Sequence, residues 1–361
     1  MLNTVPARAA ATSSRSSYLD TLSAAWAQHL APRAENAPTV ISTFAGCGGS
    51  SLGYSMAGFR ELLAVEWDQN AVDTFRLNFP DVPVYHGDIA ALSVEDCLAR
   101  TGLQPGELDV FDGSPPCQGF STAGKRMIDD PRNQLFREYV RLLRGLRPKV
   151  FVMENVSGMV KGKMKLIFAD ILRELKASGY VVSARLMNAM YFNVPQSRER
   201  MIFIGVREDI GIAPSHPRGQ GRGITPRQAF HNVMADDIKW LPEWLKEAAQ
   251  FIEAGNYNHQ SVERAFLRVR GKSAGSQNTK LLSWDRPSCT LVKSEIASTG
   301  IIHPDRERYL TIAEMKRIGS FPDQFDMRGE RKDKVNRIGN SVPPLFMRSI
   351  ATHIRECILH A

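Results

Sequence analysis

Cysteine is scarce in this sequence, and its few copies are widely spaced. The 361 residues include five cysteines, and no two of them form a CxxC pair. They are Cys47, Cys97, Cys117, Cys289 and Cys357. An odd number at this spacing argues against a disulfide framework and against a cysteine-based metal or redox motif. A chain of this length can bury a sizeable core without cross-links, so we expect reduced thiols in a cytoplasmic protein.

Long apolar runs are also missing. No stretch approaches the roughly 18 consecutive apolar residues of a membrane span, and the N-terminus lacks the compact apolar block of a secretory signal. Hydrophobic residues make up 43% and charged residues 23% of the chain, which argues against a largely disordered protein. Lys and Arg number 46 against 38 Asp and Glu, a formal net charge of +8. This excess makes a polyanionic partner plausible.

The first 38 residues differ in composition from the rest of the chain. The beginning is rich in Ala and Ser and has no acidic residue, as in a transit peptide or a disordered bacterial tail. We expect a partly disordered tail. Within it, residues 18–30 place Leu22, Trp26 and Leu30 at helical spacing, which predicts one amphipathic helix.

From residue 39 to residue 206, β-rich runs alternate with helical patterns. The six runs are VISTFAG, ELLAVEWD, LDVFDGSPP, KVFVMENV, VVSARLMNA and RMIFIGV. Helical patterns cover residues 71–78, 134–146 and 166–178. This alternation predicts an α/β fold, an open, doubly wound sheet with helices on both faces.

The regular alternation stops near Val206. Residues 207–285 contain short apolar pieces between Gly, Pro and Asn, with two acid-free basic stretches, PSHPRGQGRGITPR and RAFLRVRGKSAGSQNTK. Helical patterns return after Arg308 in TIAEMKRIG and in SVPPLFMRSIATHIRECI, which begins with prolines. The interruption predicts a second, smaller domain.

A glycine-rich loop, FAGCGGSSLG at residues 44–53, follows the first predicted strand. Glycines there permit a tight turn and close approach to a ligand, although an ordinary turn would look the same. The next strand ends in Glu66, an acid suited to ribose hydroxyls, and Trp67, which could stack on adenine. Asp88 follows a further short run and could accept from the adenine amino group. The three features together favour an adenosine-containing cofactor.

Three further motifs place reactive side chains beside predicted strands. Cys117, in GSPPCQGFS, follows a strand end, where open α/β sheets bind ligands, although a buried structural cysteine is the alternative. Glu154 ends the apolar run FVMENV and either caps the next helix or acts as an acid near pH 7. Arg198 and Arg200 can share one face, as a charged strand entry or as cations fixed beside an anion.

The order of these motifs resembles that of the C5-cytosine DNA methyltransferase family. The motifs are FAGCGGSSLG, VEWD, GDI, SPPCQGFS, ENV, QSRERMIFIG, RPSCTL and GNSVPP. The resemblance implies an S-adenosylmethionine-dependent methyltransferase with a Rossmann-like doubly wound sheet and a smaller target-recognition domain. It implies an extension at residues 1–38, a catalytic domain at 39–206 plus 334–361, a target-recognition domain at 207–300 and a connecting region at 301–333.

The resemblance also implies a role for each reactive residue. Cys117 would add to C6 of cytosine and Glu154 would act at N3, while Arg198 would contact the base carbonyl with Arg200 in support. The activated C5 would then take a methyl group from S-adenosyl-L-methionine, which has no pyrophosphate and needs no GxGxxG loop. The implied cofactor residues are Phe44, Gly46, Gly48, Glu66, Trp67, Asp88, Ile89, Pro115, Asn340 and Ser341.

The expected partner is double-stranded DNA, from which the target cytosine must be flipped out. The basic stretches of residues 207–285 would contact phosphates, and residues 118–133 would close over the DNA. We expect a bacterial monomer that works at the nucleoid, without a metal or a membrane, and a cognate restriction endonuclease for the same site remains open. Alternatives are a tRNA cytosine methyltransferase, whose Cys-Phe-Thr signature is missing, a non-catalytic DNA-binding regulator, and a nicotinamide oxidoreductase.

Overall fold

The structure is a computed structural model that describes most of the chain. The described residues are 17–116, 134–160, 164–221, 223–234, 236–274, 279–293 and 300–360. Cys117, the predicted closing segment 118–133, Arg222 of the first basic stretch and the first sixteen residues lie outside the described residues.

A seven-stranded sheet lies at the centre of the molecule. Its strands are β1 (Thr39–Thr43), β2 (Arg60–Glu66), β3 (Val84–His86), β4 (Val110–Gly113), β5 (Val150–Val156), β6 (Tyr180–Asn188) and β7 (Glu199–Arg207). Their order across the sheet is β3-β2-β1-β4-β5-β7-β6. Strands β1 to β5 pair in parallel, and β7 runs antiparallel to both β5 and β6. The strand order reverses between β1 and β4, where such sheets open a ligand crevice.

The helices cover both faces of this sheet. In the described residues they are α1 (Tyr18–Leu30), α2 (Gly49–Met56), α3 (Gln69–Asn78), α4 (Val94–Thr101), α5 (Gln134–Leu146), α6 (Met164–Lys176), α7 (Pro226–Ala229), α8 (Glu243–Phe251), α9 (His259–Arg270), α10 (Ile312–Ile318), α11 (Arg331–Asn340) and α12 (Pro344–Ile354). The predicted doubly wound α/β sheet is therefore confirmed, as are the helical patterns that correspond to α3, α5, α6, α10 and α12.

Alternate residues of the central strands enter two separate apolar clusters. Val40 and Val110 pack on one side, together with apolar side chains of α1, α2 and α12. Ile41 and Phe111 pack on the other side, against α4, α5 and α6. Because both faces are covered, every residue of β1 and β4 is buried, which explains why these strands are so apolar in sequence.

Two of the elements that were not predicted are short. Strand β3 has only three residues, and it pairs in parallel with β2 through Ala64 and Val84. For the seven-stranded sheet, the predicted number of six strands is therefore one too few, because a run of three residues shows no periodicity. Helix α4 carries a single fully buried side chain, Cys97, so its apolar face was too narrow to mark it as a helix.

The N-terminal helix α1 is present as predicted, but its apolar stripe is rotated. The buried residues are Tyr18, Leu22 and Ala25, and the next position at helical spacing is His29, which lies between α2 and α3. Leu30, predicted on the buried face, is 64% exposed. A residue adjacent to His29 is turned by about 100° around the helix axis, which moves it off the stripe.

A third, small apolar cluster comes mostly from residues 207–300, with Ile302 and Tyr309 added from the segment that follows. Apolar side chains of α8 and α9 pack with a two-stranded parallel sheet, β8 (Lys280–Leu281) and β9 (Ile301–Ile302). Phe230 and Leu282 belong instead to the larger cluster under the main sheet. The division of the chain into domains stays a prediction.

Candidate active site

A cleft of about 590 Å³ opens at the carboxyl ends of β1, β2, β4 and β5. Its lining comes from segments that are far apart in sequence. They are the glycine-rich loop after β1, the end of β2, residues 114–116 after β4, the end of β5, the entry to β7, Lys293, and residues around the end of α11. The cleft therefore lies at the ligand crevice that the strand order predicts.

The glycine-rich loop needs glycine at three positions. Gly46 and Gly48 have positive φ angles, 57° and 96°, a region that side chains disfavour. A Cβ on Gly48 would also lie 2.4 Å from the ring of Phe79, and one on Gly49 would lie 2.5 Å from the carbonyl oxygen of Val342. The loop can therefore turn sharply, and the segment after α11 can pack directly on it.

The carboxylate of Glu66 is held at the end of β2 by backbone N–H groups. It accepts hydrogen bonds from Gly46 at 2.7 Å and from Trp67 and Asp68 at 2.9 Å each. A carboxylate offers about four acceptor positions, so capacity for about one more donor remains. The indole of Trp67 is 78% exposed at the cleft, which leaves a ring face free for stacking.

Most of the predicted cofactor residues meet in this cleft. Those that line it are Phe44, Gly46, Glu66, Trp67, Pro115, Asn340 and Ser341. Gly48 is not in the lining and instead begins α2. Asp88 caps the short 3₁₀ turn that follows it by accepting from the N–H of Ala90 at 2.9 Å, and Ile89 is buried. The cofactor roles of all these residues stay predictions.

The glycine-rich loop contains another cysteine, Cys47, whose thiol is buried and poorly suited to act as a nucleophile. Its sulfur lies 3.3 Å from the hydroxyl of Ser341, which donates to the carbonyl of Arg337 at 2.7 Å. Burial raises the pKa of the Cys47 thiol to about 11. The group is therefore a neutral thiol at pH 7 and joins the loop to the end of α11.

The glycine-rich loop, the end of β2 and the end of α11 form one side of the cleft, here called the cofactor wall. Sequence reasoning missed an ion pair on this wall. Arg337 of α11 donates from Nη2 to the Oδ2 of Asp68 at 3.0 Å, and the Oδ1 of Asp68 accepts from the N–H of Ala71 at the start of α3. Both residues of the pair line the cleft. Arg337 precedes the GNSVPP motif by two residues, and no local periodicity points to it.

Residues 114–116, the end of β5 and the entry to β7 form another side of the cleft, here called the catalytic wall. Glu154 and Arg200 form an ion pair on this wall. The Nε of Arg200 lies 2.6 Å from the Oε1 of Glu154, and both side chains are largely buried. In the antiparallel register Arg200 pairs with Val156, so it stands diagonally across from Glu154 on the same face of the sheet. Removing either member would leave a largely buried charge without its partner, which is strongly destabilising.

Arg198 is buried more deeply, with 2% of its surface exposed. It donates from Nη1 to the carbonyl of Leu291 at 3.1 Å and from Nη2 to that of Gly339 at 3.0 Å. Burial lowers its pKa to about 9, and the charge of Arg200 acts in the same direction, so the guanidinium remains charged at pH 7. Both predicted arginines thus line one cleft, but Arg200 makes the contact with Glu154.

Asn155 connects β5 to the segment after β4. Its amide donates to the carbonyl of Pro115 at 3.1 Å, and its Oδ1 accepts from the N–H of Val156 at 2.9 Å. Pro115 and Pro116 line the cleft beside Glu154. Asn155 is another residue that sequence reasoning missed, although it stands inside the ENV motif. The next residue after Pro116 is Cys117, which lies outside the described residues.

The carboxyl group of Asp112 is buried near the end of β4, just before residues 114–116. Asp112 is 2% exposed and accepts a hydrogen bond from the hydroxyl of Tyr54 at 3.2 Å. Burial raises the pKa of Asp112 to about 8, the hydrogen bond from Tyr54 lowers it, and the charges of Glu61 and Glu154 raise it further. The group is therefore largely protonated at pH 7.

The described residues contain no group of three or more His, Cys, Asp or Glu side chains that could hold a metal ion. None of their helices combines the length and the apolar character needed to cross a membrane.

Comparison with known proteins assigns the chain to a family. The family model for the C-5 cytosine-specific DNA methylase matches residues 38–356. The Type II methyltransferase M1.HphI of Haemophilus parahaemolyticus is 35% identical over 87% of this chain and 85% of its own length. The Type II methyltransferase M.NgoPII of Neisseria gonorrhoeae is 32% identical over 92% of this chain and 99% of its own.

Solved structures give the same picture. A protein described as a DNA modification methyltransferase encoded within a prophage (E. coli) superposes with a TM-score of 0.68 at 26% identity, over 90% of this chain and 100% of that one. The S. pombe Dnmt2 methyltransferase superposes with a TM-score of 0.60 over 90% and 99% of the two chains, and at 18% identity it shares the fold alone. The chain thus belongs to the C-5 cytosine-specific DNA methylase family, whose methyl donor is S-adenosylmethionine.

Proposed function

We propose that this protein methylates C5 of a flipped-out cytosine within a specific sequence of duplex DNA, through a covalent bond between Cys117 and C6 of the base. One observation carries the proposal. The Glu154–Arg200 pair, buried Arg198 and the proline segment before Cys117 line the same cleft as the predicted cofactor residues. A nucleophile, an acid, fixed cations and a cofactor wall at one place are what this reaction needs.

The cleft suits the cofactor in size and in chemistry. A volume of about 590 Å³ falls in the range of small-molecule sites. Glu66 retains acceptor capacity for a ribose hydroxyl, the open face of Trp67 can stack on adenine, and Asn340 and Ser341 add polar groups at the end of α11. When bound, S-adenosylmethionine supplies a methyl group that is activated by attachment to a sulfonium.

The nucleophile that we propose is Cys117. C5 of cytosine is a poor nucleophile, but addition of a thiolate to C6 moves the C5–C6 double-bond electrons and converts the ring to an enamine. A free thiol has a pKa of about 8.5, and nearby positive charge favours its ionised form. Arg198 and Arg200 bring such charge to the cleft, whereas the thiol of Cys47 is neutral.

The proposed partner of the base is Glu154. Its carboxyl group would protonate or hydrogen-bond N3 as negative charge develops on the ring, and the pair with Arg200 fixes its position. Once C5 carries the methyl group, a base removes the C5 proton. The C6–sulfur bond then breaks, which restores the double bond and releases Cys117 as a thiolate.

We propose duplex DNA as the substrate because the relatives are Type II methyltransferases. Residues 207–300 would then act as the target-recognition domain. Arg264, Arg268 and Arg270 of α9 are exposed, and Arg268 and Arg270 stack over the rings of Phe251 and Trp244. Cations placed in this way suit phosphate contacts. A restriction endonuclease that cuts the same site, and action as a monomer, belong to this proposal.

The test is methyl transfer from labelled S-adenosylmethionine to unmethylated bacterial DNA and, separately, to bulk tRNA. We expect label in DNA as 5-methylcytosine with the wild type, and none with Cys117→Ser. The matched control is Cys357→Ser, which removes an exposed thiol and should leave transfer unchanged. Bisulfite sequencing of the methylated DNA would identify the recognised site.

Each other outcome would point to an alternative. Label in tRNA alone would indicate the RNA-modifying branch of the chemistry. Cofactor binding without transfer to either substrate would indicate a DNA-binding regulator. Full activity of Cys117→Ser would refute the covalent mechanism while leaving the methyltransferase assignment intact.

A further inference from the structure

Among the residues that the structure describes, four cationic side chains line the cleft, and Arg337 is one of them. The others are Lys293, Arg198 and Arg200. Arg200 is engaged by Glu154, and both terminal nitrogens of Arg198 donate to backbone carbonyls, although its Nε, like that of Arg337, has no partner among the described residues. Within the described part of the chain, the guanidinium of Arg337 makes one hydrogen bond, from Nη2 to Asp68, and its buried Nε has no partner.

This arrangement leaves a largely buried cation with unused donors. A guanidinium has five N–H groups, and the side chain of Arg337 is only 12% exposed. Asp68 satisfies it only in part, because its second oxygen already accepts from the first turn of α3. Buried polar groups without partners are costly and rare. A further acceptor is therefore expected at Arg337, and the cleft is where a ligand could bring one.

The position of Arg337 narrows the chemistry of that acceptor. Its backbone carbonyl receives the hydroxyl of Ser341 next to Cys47 of the glycine-rich loop, and its side chain reaches Asp68 beside Trp67. The residue thus joins the end of α11 to the glycine-rich loop and to the end of β2, where the predicted cofactor residues lie. Of the groups in S-adenosylmethionine, only the carboxylate of the amino-acid portion is an anion.

We propose that Arg337 binds the carboxylate of the cofactor and so distinguishes it from analogues that lack this group. The inference rests on the cofactor named above. Arginine is well suited to this role because its planar donors match the two oxygens of a carboxylate. Asp68 is then a counter-charge that partly neutralises the guanidinium when no ligand is bound. Loss of such a charged contact should weaken binding about 10- to 100-fold.

The experiment measures binding by the full-length protein with isothermal titration calorimetry. The ligands are S-adenosylhomocysteine and its decarboxylated analogue, which differ only in the carboxylate. We expect the wild type to prefer S-adenosylhomocysteine by about 10- to 100-fold. Arg337→Gln should reduce this preference to about twofold or less by weakening S-adenosylhomocysteine alone. The readout is a ratio of affinities and needs no methyl transfer.

The matched control is Arg207→Gln. Arg207 is also paired with one carboxylate, Asp209 at 2.7 Å, and its side chain is 16% exposed, but it does not line the cleft. This variant should keep the preference of the wild type. Thermal unfolding of both variants would show whether each is folded.

A second variant keeps the inference testable if Arg337→Gln does not fold. Asp68→Asn preserves the cap of α3, since Asn is as good an N-cap as Asp, and it leaves Arg337 charged. We expect it to retain at least the wild-type preference. If Asp68→Asn loses the preference, or if Arg337→Gln weakens both ligands equally, the inference is wrong. The Arg337–Asp68 pair would then only hold α11 against the start of α3. Failure of the wild type to bind S-adenosylhomocysteine at all would contradict the cofactor itself, which separates the two failures.

Discussion

The two walls of the cleft are held together in different ways. On the cofactor wall, Glu66 is fixed by the backbone N–H groups of Gly46, Trp67 and Asp68, which lie no more than 20 positions away in the sequence. On the catalytic wall, Glu154 depends on the side chain of Arg200. Arg198 there donates to carbonyls that lie 93 and 141 positions further along the chain.

This difference has a consequence for mutation. Backbone N–H groups remain in place when a side chain is replaced, so substitutions at Glu66 and Trp67 should change ligand affinity and little else. The catalytic wall consists of buried charges paired over long distances, and these interactions are costly to break. Substitutions there should therefore affect the chemistry, the stability of the fold, or both.

Glu154→Gln is expected to have the largest effect. The amide keeps the size of the side chain but cannot donate a proton to N3, so kcat should fall about 100- to 10,000-fold. The Kd for S-adenosylhomocysteine should change less than about threefold, because the cofactor wall is unaltered. Steady-state methylation and calorimetry measure the two quantities. Glu174→Gln, which changes an exposed carboxylate, is the control. A loss of affinity as large as the loss of kcat would show that the walls are not independent.

Arg198→Met is expected to have the second-largest effect, and this effect is on the stability of the fold. The variant leaves the carbonyls of Leu291 and Gly339 without their buried donors, and we expect the free energy of unfolding to fall by about 2–4 kcal/mol. Denaturant unfolding measures this, with Arg185→Met on the exposed face of β6 as the control. If both variants are equally stable, Arg198 does not hold the catalytic wall together, and the contrast between the walls fails.

Trp67→Ala tests the cofactor wall. Loss of base stacking is worth about 1–3 kcal/mol per base, so the Kd for S-adenosylhomocysteine should rise about 5- to 100-fold. At saturating cofactor, kcat should stay within about twofold of the wild type, because stacking on the adenine contributes to binding and not to the transfer step. Trp240→Ala removes another exposed indole that does not line the cleft and should change neither quantity. A fall in kcat at saturation would mean that Trp67 also shapes the catalytic wall.

Asp112→Asn should affect methyl transfer and cofactor binding least, and its effect on stability should depend on pH. The pKa of Asp112 is raised to about 8 in the fold and is about 4 in an unfolded chain. Between these values the folded state holds a proton that the unfolded state has lost, so wild-type stability falls as pH rises. Asn keeps the acceptor for Tyr54 without the titration.

The measurement for Asp112→Asn is the free energy of unfolding as a function of pH. The advantage of the variant over the wild type should grow from pH 4 to pH 8, by up to about 1 kcal/mol per pH unit, and then level off. Glu61 is also buried, and its pKa is raised to about 7. Because the charge of Glu61 also raises the pKa of Asp112, the two groups are coupled, and the difference between the proteins reports Asp112 together with its effect on Glu61. A difference that is constant over this range would mean that Asp112 does not titrate there.

The sequence by itself determined the features that depend on neighbouring residues. Apolar runs ending in Glu66 and Glu154 predicted two of the strands that reach the cleft, because burial on both faces of a sheet is written directly into a strand. The glycines of the loop predicted a sharp turn, since only they adopt its backbone angles without strain. The order of these local motifs was enough to indicate the family.

The tertiary structure alone decided the features that depend on distant residues. It paired Glu154 with Arg200, placed Arg198 against Leu291 and Gly339, and brought Arg337 to the cofactor wall. Periodicity reports which face of an element is apolar, but not which element packs against it. The partner of a buried charge is chosen when strands and helices from different parts of the chain come together. No local pattern records that choice.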